Sequence, residues 1–223
     1  MDYIKRSGHE LRGERDNVIT DYAAQGQTIL MSQYRKFIKP EYSVRQVLVE
    51  HTHFNDPNKR EHIRQLLFRS AEQDAIPIIN YNDPVSAEEN RKLELSVLRE
   101  STDVVVECID NDETAAVISE LVGAKTLVIL TSTDGIYRNP SDPSTLVESV
   151  SGANVDELEE NIRDLQKSCV GASREGAQGA LAKLEYIIPV VRRGNTVIIG
   201  NSQYRVRDLL SGNIPHTRIS VTS

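Results

Sequence analysis

Four short polar segments stand out because each directly follows an apolar stretch. They are "NYNDPV" after 76–80, "DNDE" after 103–109, "TSTDG" after 126–130 and "GNSQ" after 195–200. Their carboxylates, amides, hydroxyls and glycines are groups that can hold a small polar ligand. In open parallel sheets, ligands bind outside the carboxyl ends of the strands, so these segments predict a binding site. The alternative is that all four are ordinary turns, which use the same residue types.

The apolar stretches before these segments have the composition of buried parallel strands. Strands are predicted at 44–50, 76–80, 103–109, 126–130 and 195–200. Helices are predicted between them, at 56–74, 86–101, 110–124, 154–168, 179–189 and 204–212. This alternation predicts an α/β fold with a mostly parallel central sheet.

Local signals place the ends and faces of several predicted helices. Asp56 is expected to cap one helix whose first residue is Pro57. Asn154 is expected to cap another, which carries an apolar stripe made of Val155, Leu158, Ile162 and Leu165. Residues 86–102 are expected to form a charged surface helix or lid, because only Leu93, Val97 and Leu98 are available for burial.

Bulk composition predicts one compact domain over residues 1–223, because no stretch has the composition of a linker. The net charge of -7 argues against nucleic acid as the main partner. No apolar run approaches 18 residues, roughly the length a membrane span needs, and the charged first residues do not resemble a secretory signal. With only Cys108 and Cys169 as thiols, we expect a protein of the reducing cytoplasm.

Histidines are the other residues that could suggest a metal. The segment "HTHF" places His51 and His53 two positions apart, and His62 follows. No pair of carboxylates accompanies them, and two cysteines are too few for a thiolate site. We therefore expect no metal site formed by protein side chains.

The polar segments also resemble motifs of the amino acid kinase family. "LTSTDGIYRNP" is similar to the family's "LTDVDGLYTADP", and "IPIINYNDPV", "DNDETAAVISEL" and "GAQGALAKLE" stand in the family order. Together they are most similar to the glutamate 5-kinases, over roughly residues 20–215. The resemblance implies a three-layer α/β/α sandwich and a homo-oligomer. It implies transfer of the γ-phosphate of ATP, bound with Mg²⁺, to the side-chain carboxylate of glutamate for proline biosynthesis.

The resemblance also implies roles for individual residues. Asp83 and Asn111 match substrate-binding positions, and Asp112 matches a carboxylate that organises the catalytic lysines. The positions matched to the nucleotide site are Thr131, Ser132, Asp134, Tyr137, Gly176, Gly179 and Lys183. Lys183 also matches a catalytic lysine, which neutralises charge on the transferring phosphoryl group.

The chemistry of phosphoryl transfer is consistent with these roles, because the reaction needs positioning and positive charge on the developing oxygens. Lys183 follows glycines at a helix start, where free backbone N–H groups add to its charge. Asp112 lies at a helix start, which favours its ionised form. Taken alone, however, Lys183 could be an ordinary solvated lysine and Asp112 an ordinary helix cap.

Several departures from the family pattern leave other functions open. Residues 1–20 hold no counterpart of the family's first strand, "K-x-G-[GT]-S", or its "SSGA" loop, so we expect a sheet without those strands and impaired catalysis. "GTGGMSTK" becomes "GAQGALAK" in this chain, Ser132 replaces an Asp, and 86–102 is longer than the matching segment by roughly fifteen residues. The alternatives are a non-catalytic, kinase-like binding or regulatory subunit, or a kinase for another small acid or a phosphate monoester.

Overall fold

The computed structural model describes residues 13–86, 88–102, 105–108, 111–139, 141–168 and 179–222. The chain divides into two compact units, Met1–Asn111 and Asp112–Ser223. Each unit has its own sheet. That the whole chain forms one domain, as the composition suggests, stays a prediction.

The first unit contains a pair of parallel strands, β1 (Ser43–Val49) and β2 (Ala75–Tyr81), with Ser43 opposite Ala75. Its helices are α1 (Arg15–Phe37), α2 (His51–Asn55), α3 (Pro57–Glu72) and α4 (Glu88–Ser101). The predicted start of α3 is confirmed. The Asp56 carboxylate accepts hydrogen bonds from the backbone of Asn58 at 2.8 Å and Lys59 at 3.0 Å, and Pro57 is the first helical residue.

Helix α4 confirms the prediction of a helix in the segment 86–102. Leu93 and Val97 are exposed, but Leu95 is buried, with 5% of its surface accessible. The prediction that α4 buries little overlooked Leu95. Arg99, near the end of the helix, forms an ion pair with Glu107.

The second unit contains a four-stranded sheet in the order β3-β5-β6-β4. Its strands are β3 (Thr126–Thr131), β4 (Ser149–Gly152), β5 (Thr196–Asn201) and β6 (His216–Val221). Its helices are α5 (Asn111–Val122), α6 (Val155–Ser168), α7 (Gly179–Tyr186), α8 (Ile188–Arg192) and α9 (Val206–Ser211). Of the strand pairings in the described part of the chain, only β5–β6 is antiparallel. The mixed α/β class with mostly parallel strands is confirmed.

Helix α6 supplies much of the core of the second unit. Leu158 and Ile162 are fully buried and Leu165 nearly so, as the apolar stripe predicts, whereas Val155 is only partly buried. Asn154 caps the helix by accepting from the Glu157 N–H at 3.0 Å, while the Glu157 carboxylate accepts from the Ala153 N–H at 2.9 Å. These side chains pack with buried residues of the sheet, including Val197, Ile199 and Ile219.

The strand predicted at 103–109 is wrong where the structure describes it, because residues 105–108 lie in no strand. The Asn55 side chain forms hydrogen bonds with both backbone groups of Val106, accepting from its N–H at 3.0 Å and donating to its carbonyl at 2.8 Å. A side chain thus satisfies the hydrogen bonds that a neighbouring strand would otherwise make. Positions 103, 104 and 109 lie outside the described residues.

Strands β4 and β6 and helix α1 were not predicted. In β6, Thr217 and Ile219 are buried while the residues beside them are polar, so no apolar run marks the strand. Helix α1 buries only Tyr22 among its described side chains and exposes several apolar ones, which leaves a weak periodic signal. In the described part of the chain, no helix has the length and hydrophobicity that a membrane crossing requires.

Candidate functional site

An ion pair between Asp112 and Lys183 lies at the centre of the candidate site. The Lys183 Nζ donates to Asp112 Oδ2 at 2.6 Å, although the two residues are 71 positions apart. Each side chain is about three-quarters buried, with 25% and 24% of its surface accessible. The lysine is therefore held against a carboxylate rather than extended into solvent.

Two helices present this pair. Asp112 is in the first turn of α5, which is anchored through buried Thr114 and Ala116. Lys183 is in α7, whose neighbouring residues Ala182 and Leu184 are buried in the core. Helix α7 begins at Gly179, where a backbone φ of 62° favours glycine. Gly176, also predicted to bind nucleotide, lies outside the described residues.

The segments after β3 and β5 meet at the edge of the sheet, as expected for neighbouring parallel strands. The carbonyl of Thr131 accepts from the Ser202 N–H at 2.8 Å. Asn201 Nδ2 donates to Asp134 Oδ1 at 3.1 Å. Ser132, between the two contacts, is exposed. The predicted nucleotide residues Thr131, Ser132 and Asp134 therefore share one loop that is fastened to the loop after β5.

Thr217 on β6 fixes the far end of the loop that follows β3. Its Oγ1 accepts from the Ile136 N–H at 2.8 Å in the interior. A Cβ on Gly135 would collide with that hydroxyl and would lie 2.8 Å from the Thr217 N atom, so only glycine fits there. Thr217 and Asn201 were not among the predicted site residues. Asn201 belonged to the highlighted "GNSQ", whereas Thr217 had no local signal.

Tyr137 follows in the same loop and forms an isolated antiparallel bridge with Leu146. Burial raises the pKa of its phenol, and the nearby Asp134 carboxylate raises that pKa further. The phenol is therefore protonated at neutral pH and can donate a hydrogen bond. This is compatible with the predicted place of Tyr137 beside a nucleotide.

The predicted substrate residues Asp83 and Asn111 lie in the first unit. Asp83 is in the turn after β2, and partial burial raises the pKa of its carboxyl, while the charge of Arg91 opposes that rise. Asn111 is exposed and begins α5. Their roles in substrate binding stay predictions.

His51 and His53 have structural partners, whereas His62 is exposed. His51 is fully buried, with Nδ1 3.1 Å from the Tyr81 hydroxyl and Nε2 3.0 Å from a Glu94 carboxylate oxygen. Burial lowers the pKa of its imidazole despite that carboxylate. His53 Nδ1 accepts from the Glu50 N–H at 2.8 Å. Within the described ranges, no three His, Cys, Asp or Glu side chains are grouped so as to hold a metal ion.

The family model of the amino acid kinase family matches residues 4–201. The chain is 33% identical to a glutamate 5-kinase of Alkaliphilus metalliredigens (strain QYMF) over 84% of its own length and 67% of that protein. It is 30% identical to a glutamate 5-kinase of Alkaliphilus oremlandii (strain OhILAs) over 90% of its own length and 69% of that protein. The chain thus spans about two thirds of the length of these curated relatives.

Among solved structures, a carbamate kinase from Giardia lamblia bound to AMP-PNP aligns with 71% of this chain and 44% of that one. The TM-score is 0.47 at 20% identity, which is too low to bear on ligand or mechanism. The match of the family model, over most of the sequence, is the finding that decides membership. The chain belongs to the amino acid kinase family.

Proposed function

We propose that this chain transfers the γ-phosphoryl group of ATP to the side-chain carboxylate of glutamate. The observation that carries the proposal is the partly buried contact between Lys183 and Asp112. The similarity to glutamate 5-kinases supports glutamate as the acceptor. Assembly as a homo-oligomer in the cytoplasm is part of the same proposal.

In this reaction, an oxygen of the acceptor carboxylate forms a bond to the γ-phosphorus. The bond from that phosphorus to the β,γ-bridging oxygen breaks, and ADP leaves with the electron pair. Negative charge spreads over the transferring oxygens, so a cation already in place lowers the barrier. Lys183 is the proposed cation. Asp112 is proposed to restrict its ammonium group to one position, so that little reorganisation is needed.

The nucleotide is proposed to lie along the loop that begins at Thr131. Its contacts with Ser202 and Asn201 and the anchor at Thr217 hold the loop in one shape before ligand binds. The first turn of α7 and the Lys183 ammonium suit the phosphates. Mg²⁺ would arrive as the ATP complex and neutralise phosphate charge.

A second candidate function is a non-catalytic, kinase-like subunit that binds nucleotide. The observation that favours it is the segment "GAQGALAK" at 176–183, which has one glycine and three hydroxyls fewer than the family's "GTGGMSTK". Those groups are donors for phosphate oxygens, so their loss affects transfer more directly than nucleotide affinity. Under this function, ADP–Mg²⁺ would bind without turnover.

One sample can separate the two candidates. ADP release is measured with and without glutamate, acyl phosphate is trapped with hydroxylamine, and binding of ADP–Mg²⁺ is measured by calorimetry. Glutamate-dependent ADP release with trapped acyl phosphate supports the kinase. Binding without either product supports the non-catalytic subunit, and absence of both binding and turnover contradicts both candidates.

A further inference from the structure

The turn after β2, residues 82–86, is held in place independently of any ligand. The Asn82 N–H donates to the carbonyl of Val49 at 2.9 Å, and its side chain donates to a Glu50 carboxylate oxygen at 2.7 Å. The hydroxyls of Tyr81 and Ser86 lie 3.2 Å apart and connect the two ends of the turn. Asp83 therefore projects from a fixed backbone.

Helix α4 places a guanidinium beside this turn. The Cζ atom of Arg91 lies 5.6 Å from the centroid of the Tyr81 ring, within the range of a cation–π contact. Two features hold the helix there, namely the burial of Leu95 and the contact of Glu94 with His51 at 3.0 Å. Arg91 is thus positioned by contacts that lie one turn further along its own helix.

The charges of Arg91 and Asp83 act on each other. Arg91 lowers the pKa of the Asp83 carboxyl against the burial that raises it, and it also lowers the pKa of His51. Even so, no carboxylate that the structure describes lies within ion-pair distance of Arg91. A guanidinium stacked on an aromatic ring keeps donors at its edge, in a fork that matches a carboxylate.

The carboxylate of Asp83 lies on this turn and the guanidinium of Arg91 lies over the ring of Tyr81, two positions earlier in the chain. Together the two groups are complementary to the two charges of a free amino acid. We infer that Arg91 binds the α-carboxylate of the substrate while Asp83 binds its ammonium group. Arg91 is then a residue that determines specificity for an acceptor with an α-carboxylate. The inference rests on the proposed function for the identity of the acceptor.

Three ligands test the two charges separately. Glutamate carries both groups, 4-aminobutyrate lacks the α-carboxylate, and glutarate lacks the ammonium group. Binding of each is measured by calorimetry, and turnover is measured in parallel, for the wild type, Arg91→Met and Asp83→Asn. Arg99→Met is the matched control, because it removes a guanidinium from the same helix that is already paired with Glu107.

The expected result is a crossed pattern. Arg91→Met is expected to weaken the binding of glutamate and glutarate about ten- to a hundredfold, the range for hydrogen bonds to a charged group. The affinity for 4-aminobutyrate should stay unchanged. Asp83→Asn weakens glutamate and 4-aminobutyrate and leaves glutarate unchanged. Arg99→Met changes none of the three.

Each other outcome is informative. Equal weakening of all three ligands by Arg91→Met would show a structural role and would overturn the inference, as would a wild type that binds none of them. If the crossed pattern appears in binding but glutamate is not phosphorylated, the inference stands and the proposed kinase activity fails. If glutamate is phosphorylated and Arg91→Met changes neither the Kd nor the KM for glutamate, the proposed kinase activity stands and the inference is overturned.

Discussion

The ammonium group of Lys183 lies 2.6 Å from the carboxylate of Asp112, and both side chains are largely withdrawn from solvent. A cation held in this way has few positions available. Such preorganisation favours a reaction in which negative charge builds up on transferring oxygens. The pair therefore links the packing of α5 and α7 to the proposed chemistry.

Replacing Lys183 with alanine is expected to lower turnover by about 10²–10³-fold, the typical loss for one preorganised charge donor. Binding of ADP–Mg²⁺ should weaken as well, because the same ammonium faces the phosphates. The matched control is Lys167→Ala, since Lys167 also pairs with a carboxylate, Asp164 at 2.7 Å, but on the exposed surface of α6. Steady-state kinetics and calorimetry check both variants. Equal losses in the two would contradict a specific role for Lys183.

The strands β1, β2, β3 and β5 were predicted, and each contains at least three consecutive apolar residues. β2 and β5 were predicted to within one or two residues, because their central residues are mostly apolar and none of them is exposed. β6 was not predicted because the exposed Arg218 separates its two buried residues. The strand prediction at 105–108 was wrong because its composition is typical of a strand, whereas the backbone of Val106 forms its hydrogen bonds with the Asn55 side chain.

Part of the candidate site could also be predicted from the sequence. Polar segments after strands pointed to Thr131 and Asp134, and the family resemblance pointed to Asp112 and Lys183. No local pattern, however, connects residues 71 positions apart, so their contact required the fold. Thr217 depends on the register of a strand that was not predicted, and Arg91 depends on how α4 lies against Tyr81.

Thr217→Val is expected to lower the free energy of unfolding by about 1–3 kcal/mol, because the buried Ile136 N–H would lose its acceptor. Thr217→Ser keeps the hydroxyl and should cost about 0.8 kcal/mol, close to the value of one buried methylene-sized group. Urea unfolding of the two variants measures the difference. A serine variant as unstable as the valine variant would show that packing of the methyl group, and not the hydrogen bond, is the main contribution.

Leu95→Ala is expected to lower the free energy of unfolding by about 2–5 kcal/mol, because it leaves a cavity under α4. Leu93 lies on the same helix with 68% of its surface accessible, so Leu93→Ala should change stability by no more than about 0.5 kcal/mol. Urea unfolding checks the pair. Similar values for the two variants would contradict the anchored helix on which the placement of Arg91 depends.

Glu159 gives a prediction for pH. Arg192 donates two hydrogen bonds to its carboxylate, at 2.6 and 2.8 Å, and Arg163 donates another at 2.7 Å. These bonds lower the pKa of Glu159 from 4.5 to about 2. A carboxyl whose pKa is lower in the folded state stabilises the fold above pH 4.5, and that contribution is lost as pH falls from 4.5 towards 2.

The stabilisation from Glu159 is expected to be about 1 kcal/mol, because both arginines are substantially exposed and solvent screens the pair. Glu159→Gln should remove it, so the difference in unfolding free energy between wild type and variant should be largest at pH 6 and shrink towards pH 3. High salt should reduce the same difference, since exposed charges are screened. Glu160→Gln is the control, because Glu160 is exposed and has no ion pair in the described part of the chain. A Glu159→Gln difference that stays constant from pH 6 to pH 3 would show that the side chain stabilises α6 through packing rather than through its charge.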